Sequence, residues 1–307
     1  FNGETMGTYY NIIYLHPDGT IYKSAVDSLL LVWNQSLSTY IADSEISQFN
    51  RNDFLTFKSP YFYPVLLKSK HVYEATKGAF DPTVMPLVNA WGFGPEENEM
   101  PDSTQINELI KLVGYDKIIF DENEVRKSLP GVSLDFSAIA KGYGVDVVGE
   151  LLENRGIENY LVDIGGEIMC KGINDRGTPW TTGIEDPSVE IFDRKIKAVI
   201  EVTDKGIATS GNYRNFYVKD GKKYAHTISP FTGYPVEHSM LSATVVAGDC
   251  MTADAYATAF MVLGIEEAIP IINSHPEMDA YFIFSDNEGT INTFMTEGFR
   301  SILKTEN

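Results

Sequence analysis

YLVDIGGEIMC (Tyr160–Cys170), KIKAVIEV (Lys195–Val202), IATSG (Ile207–Gly211) and NFYVKDGKKYAHTI (residues 215–228) share one pattern. Apolar and β-branched residues recur there largely at a spacing of two, in runs too short for helices, which reads as a block of antiparallel strands. Ser242–Ala247 continues the block. Upstream, Thr8–Leu15 reads as a strand ended by the HPDG turn, and Lys117–Phe120 as a short strand. Ser24–Leu37, Tyr63–Lys77 and Ser137–Asn154 carry helical spacing, and Asp102 with Gln105 is a capping-box signature for a helix to about Val113. Downstream, Thr252–Leu263 is helical, Pro270 interrupts the next helix, and AYFIF and TINTF form a hairpin through SDNEG. Strands and helices lie in blocks and no linker divides the chain. The expectation is one compact α+β domain over residues 1–307, with a mostly antiparallel sheet and segregated helices.

The chain has 307 residues with 24 Lys+Arg against 43 Asp+Glu, a formal charge of −19. That surface argues against duplex DNA or an anionic membrane as partner, since both draw affinity from basic residues, but leaves room for one nucleotide in a local pocket. Two cysteines, Cys170 and Cys250, are too few for a disulfide framework or a cysteine zinc site, and the five histidines form no HExxH, so a metal would be oxygen-bound. Both cysteines read as buried thiols. The apolar stretch around Ala255–Ile265 is too short for a membrane span. Neither GxGxxG nor GxxxxGK[ST] is present.

What remains is a set of short polar clusters. In TADAYAT (Thr252–Thr258), Asp254 and Thr258 are four residues apart and project from one helix face. Two hard oxygens there suit Mg²⁺, which takes one or two carboxylates plus backbone, water and phosphate oxygens. The same spacing also fits a capping Asp254 with Thr258 bonded back to the i−4 carbonyl. LDFSAIAKGYGVD (Leu134–Asp146) puts Asp135 before a helix, Ser137 at its N-cap, the Ala138 carbonyl in the turn and Lys141 about one turn in. Either these are caps with a solvated lysine, or the helix start holds a phosphate. GAFDPT (Gly78–Thr83) places Asp81 before Pro82 in a turn, and opens an aromatic Gly/Pro-rich loop over residues 78–101 that is too long and apolar for a linker. HTISPFTGYPV (His226–Val236) carries His226 at a strand end. A histidine titrates near neutrality, and a structural histidine fits that position too.

Taken in order, MGTYY from Met6, STYIADSEISQFN, GAFDPTVMPLVNAWGFG, LDFSAIAKGYGVD, YLVDIGGEI, IATSGNYRNFY, HTISPFTGYPV and CMTADAYATAFMVLG make the chain resemble the ApbE-type flavin transferases over nearly its whole length. The resemblance implies an ApbE-like, T-fold-like domain. It implies an FAD site lined by Met6, Tyr40, Ala79, Phe80, Asp81, Asp135, Lys141 and Ile228, and Mg²⁺ held by Asp254, Thr258 and the backbone carbonyl of Ala138. Two departures stand out: Ser229 precedes the proline where the family often has Asp, and Ser137-Ala138 stands where many members carry Gly-Gly.

The implied reaction passes the FMN half of FAD to a Ser or Thr hydroxyl of an acceptor protein, with release of AMP. His226 is the expected proton acceptor and Asp135 the competing base. Water in place of the protein hydroxyl would give an FAD diphosphate hydrolase, and a non-enzymatic FAD-binding module would leave FAD intact; a redox flavoenzyme lacks a nicotinamide fingerprint. The resemblance also implies an exported, periplasmic or outer-surface location, with lipid anchoring through an N-terminal Cys ahead of Phe1. That anchor is the only membrane contact expected, and no nucleic-acid partner is.

Overall fold

Tyr160–Ile164 is buried at four of its five positions, because both faces of the strand are covered. Tyr160, Val162 and Ile164 pack against Val26, Leu30, Val145, Val148 and Leu152 from helices, whereas Leu161 points the other way, into a cluster with Trp180, Ile184, Ile200 and Tyr281. The strand belongs to an eight-stranded sheet in the order Asn2–Thr5, Thr8–Tyr14, Tyr160–Ile164, Glu167–Lys171, Lys205–Gly211, Met240–Ala247, Asp279–Ser285, Ile291–Met295. Every neighbouring pair is antiparallel. A three-stranded sheet of Leu303–Glu306, Ile196–Val202 and Trp180–Glu185 covers one face. The start of helix Lys23–Leu37, with helices Ala140–Glu153 and Cys250–Leu263, lies on the other.

This computed structural model describes residues 1–95, 100–187, 195–212, 216–219, 222–286 and 288–306, with backbone alone at 216–219 and 222–225. The elements above form one unit, Phe1–Leu30 with Lys141–Arg214 and His238–Asn307; the other is Leu31–Ala140 with Asn215–Glu237. The second unit holds a three-stranded sheet, in the order Phe54–Thr56, Glu124–Lys127, Ile118–Phe120, with helices that include Phe62–Ala75, Met85–Ala90 and Ser103–Leu109. Leu87, Trp91, Ile106, Val113 and Ile228 make one of its cores. There the Trp91 indole N–H donates to the Gly233 carbonyl at 2.8 Å. Gly233 has φ +76° and a Cβ on it would stand 2.7 Å from Ile106, so the turn needs glycine on both counts.

The antiparallel α+β expectation matches the structure, and the capping box forms: Gln105 N donates to Asp102 Oδ1, and Asp102 N to Gln105 Oε1, both at 2.8 Å. Four local expectations differ. The stretch 78–101 is not loop throughout: it forms the turn Pro82–Val84 and helix Met85–Ala90, which has a proline in its first turn. Ser137 does not cap a helix; its N–H and hydroxyl both go to Asp135 Oδ1, so the chain turns over 137–139 and the helix begins at Ala140. Pro270 does not interrupt its helix but lies inside Ile265–Asn273, at the cost of one backbone donor. Phe216–Lys219 pairs with Lys222–Ala225 as a separate hairpin and does not extend the large sheet. Residues 96–99 of the long loop, 213–215 and 220–221 of the strand run, and Asn287 of the final hairpin lie outside the described residues. Cys170 and Cys250 are free and buried, and burial pushes the Cys170 thiol up to about 12. No helix among the described residues is long and apolar enough to cross a membrane.

Candidate functional site

In the first unit the chemistry gathers where two helices begin. Asp249 caps Cys250–Leu263, accepting from Thr252 N at 2.7 Å, so Asp254 is free of the capping role and projects one turn further in. Its Oδ2 accepts the backbone N–H of Gly142 at 2.9 Å, one of the first-turn donors that helix Ala140–Glu153 cannot satisfy itself. A Cβ on Gly142 would stand 2.3 Å from the Cys250 carbonyl oxygen and 2.8 Å from Asp254 Cβ, so only glycine lets the helices approach this closely. Thr258, one turn beyond Asp254, shares a 3.1 Å hydrogen bond between its hydroxyl and that of Ser210 on the neighbouring strand.

Lys141 Nζ lies 2.5 Å from Glu167 Oε1. Burial alone would lower the lysine, but the carboxylates of Glu167 and Asp254 outweigh it and hold the ammonium above its ordinary value. Burial raises both Glu167 and Asp254, against the pull of Lys141. Glu167 Oε2 is buried with no hydrogen-bond partner. A pattern reading passes over Glu167 because, inside YLVDIGGEI, it looks like an ordinary polar position of a strand. Met6 sits at the hairpin tip between Thr5 and Thr8, half-buried against the cluster that holds Val145, Ile164 and Cys250, with φ 52° beside Gly7 at φ 70°. Positive φ at both central residues is a type I′ turn, and Met6 is one of the few non-glycine residues here to adopt it.

The second unit brings three motifs side by side. Asp135 N donates to the Pro82 carbonyl at 2.8 Å, tying LDFSA to GAFDP, and a Cβ on Gly78 would lie 3.6 Å from Phe231 of the PFTG turn. Asp81 caps the short turn Pro82–Val84, accepting from Thr83 N at 2.8 Å and Thr83 Oγ1 at 2.6 Å; burial pushes its carboxyl up to about 6 despite those bonds. Asp135 is raised by burial too, opposed by Ser137. Tyr40 is 72% exposed, and partial burial and the Asp135 charge together raise its phenol. Ala79 and Phe80 are each 2% exposed, so they shape the loop from its core. His226 stands edge-on to Phe93 at 6.5 Å, and Ile228 is buried and bridged to Pro235. Ser229 takes the turn-forming part of an acid at its position: its Oγ accepts from Phe231 N and Thr232 N, each at 3.3 Å.

No group of three or more His, Cys, Asp or Glu among the described residues is arranged to hold a metal. The donors on helix Cys250–Leu263 are of the other kind, one carboxylate with one hydroxyl, and the unpartnered Glu167 Oε2 lies in the same electrostatic cluster. All are hard oxygens, which fits Mg²⁺ and not a thiophilic ion. The third expected ligand, the Ala138 carbonyl, belongs to the turn before Ala140 in the second unit.

The chain is similar to known proteins over most of its length. A family model described as "ApbE family" matches residues 6–282. The FAD:protein FMN transferase of Vibrio cholerae is 41% identical over 285 residues, 89% of this chain and 84% of its own length. That of Haemophilus influenzae is 39% identical, over 99% of this chain and 91% of its own. Among solved structures, the flavin transferase ApbE from Vibrio cholerae superposes with a TM-score of 0.89 at 37% identity, covering 99% of this chain and 98% of its own. The apo form of the Pseudomonas stutzeri flavinyl transferase ApbE gives 0.87 at 32%, covering 98% and 95%.

Proposed function

The chain belongs to the ApbE family and is an FAD:protein FMN transferase, and from that premise we propose how its own residues carry the transfer. The observation that carries the reading is the cluster at the start of helix Ala140–Glu153, where Asp254, Lys141 and Glu167 meet around the Gly142 amide. Asp254 and Thr258 would hold Mg²⁺, and the Ala138 carbonyl is the further ligand that the family resemblance implies. Mg²⁺, when bound, neutralises charge on the FAD diphosphate and on the leaving AMP. Lys141 holds its proton because two carboxylates sit beside it, and so presents a fixed positive charge to the phosphates at a helix start that itself favours anions. In a chain of net charge −19, these are local sources of the positive potential a diphosphate needs.

Tyr40 offers an exposed ring to the flavin or adenine, and Asp81 and Asp135 line the same loops from their turns. His226 takes the proton of the incoming Ser or Thr hydroxyl, with Asp135 as the alternative base. The acceptor is a protein carrying that hydroxyl, and the enzyme works outside the cytoplasm, anchored by lipid; this last part rests on the family resemblance and is tested by fractionating cells that express the full gene product. The catalytic reading is tested by incubating the chain with FAD, Mg²⁺ and an acceptor domain. Gain of one FMN on a single Ser or Thr supports it, and cleavage of FAD to FMN and AMP with no labelled acceptor assigns the chain to FAD hydrolysis.

A further inference from the structure

Asp146 stands one turn after Gly142 and is not among the residues expected to touch FAD or metal. Its two carboxylate oxygens accept one backbone N–H each, from Cys250 and from Met251, both at 2.8 Å. Those are the first two amides of the helix that carries Asp254 and Thr258. The exchange is reciprocal: helix Cys250–Leu263 sends Asp254 to the first turn of helix Ala140–Glu153, and that helix returns Asp146. Two glycines set the fit, since a Cβ on Gly142 or on Gly206 would each come within 2.3 Å of Cys250 backbone atoms. With bonds at both ends of a four-residue step, the second helix can neither slide nor turn about its axis against the first. Both Asp254 and Thr258 project from it at fixed angles.

We propose that Asp146 is a positioning residue for the metal-dependent transfer: by clamping the first turn of helix Cys250–Leu263 it fixes the Asp254 and Thr258 oxygens at the spacing Mg²⁺ requires. This rests on the reading of Asp254 and Thr258 as metal ligands. Removing a group that orients a ligand typically lowers metal affinity about 10- to 100-fold. An Asn at 146 keeps one acceptor but sets an NH₂ group against the second amide.

The test is titration of the full chain with Mn²⁺ in the presence of FAD and without acceptor protein, counting free Mn²⁺ by electron paramagnetic resonance. Asp146→Asn is expected to weaken Mn²⁺ binding by about tenfold or more. Asp249→Ala removes the side-chain cap of the same helix and leaves both Asp146 bonds in place, so it lowers the melting temperature yet leaves Mn²⁺ affinity within about twofold of wild type. Where the Asn variant does not fold, Asp146→Ser, which admits water to the two amides, carries the same expectation. Affinity within twofold of wild type in the Asp146 variants, while Asp254→Ala abolishes binding, overturns the proposal and leaves the metal site standing. Unchanged binding in Asp254→Ala overturns the metal site itself.

Discussion

Gly142 donates its backbone N–H to Asp254 Oδ2 at 2.9 Å, across 112 residues of chain. The bond is made at the one place where helix Ala140–Glu153 has amides to spare, and it needs a residue without a side chain, because Cys250 carbonyl oxygen occupies the space where Cβ would be. Gly142→Ala is therefore expected to cost about 1–3 kcal/mol in urea denaturation, the range for overpacking, and to lower transfer activity by more than the loss of folded protein accounts for.

Lys141 and Glu167 form an unequal pair. Glu167 is 5% exposed and Lys141 34%, so the lysine can reach water when its partner goes and the glutamate cannot. Lys141→Met should destabilise the fold at pH 8 by about 2–4 kcal/mol, and Glu167→Gln by roughly half that. Chemical denaturation of the two variants checks the order; equal losses would mean that the lysine is as trapped as the acid.

Asp81 predicts a pH dependence of stability. Burial raises its carboxyl to about 6 in the folded chain, above its ordinary value of 3.8. Between those values the folded state binds more protons than the unfolded one, so this group's contribution falls as pH rises, and the deficit of about 3 kcal/mol is complete above pH 6. Asn at that position keeps an acceptor for Thr83 and carries no charge. Asp81→Asn should therefore be more stable than wild type at pH 8, with the difference shrinking toward zero near pH 4; a constant difference across that range would contradict the assignment.

His226 and Asp135 make different predictions as the base. If His226 takes the acceptor proton, His226→Asn lowers kcat by about 10²- to 10⁴-fold. An unchanged kcat would transfer the assignment to Asp135, whose carboxyl is raised by burial.

Much of this arrangement is legible from local pattern. The antiparallel strands show as period-two runs, the capping box as Asp102 with Gln105, and Asp254 and Thr258 share a helix face because they are four residues apart. The parts that escape pattern are long-range. Ser137 looks like an N-cap, but Asp135 lies close enough to claim both its donors, which delays the helix to Ala140. Glu167 and Asp146 look like routine polar positions of a strand and a helix, and acquire meaning only where Lys141 and the Cys250 amide meet them. Asn2–Thr5 is a short polar strand that pairs because Met6-Gly7 reverses the chain, a turn that an ordinary residue at φ 52° does not advertise.

If the oxygens of Asp254 and Thr258 on helix Cys250–Leu263 hold a divalent ion, FMN transfer depends on that ion. The most direct measurement is the intact mass of an acceptor domain after incubation with FAD, Mg²⁺ and either wild type or Asp254→Asn, a change that keeps the volume and an acceptor for Gly142 but removes the charge. Wild type should add one FMN, and neither Asp254→Asn nor wild type in excess chelator should add any on the same timescale, a rate loss of at least about a hundredfold. Labelling by Asp254→Asn at the wild-type rate, or by wild type in chelator, would show that the transfer needs no ion at Asp254.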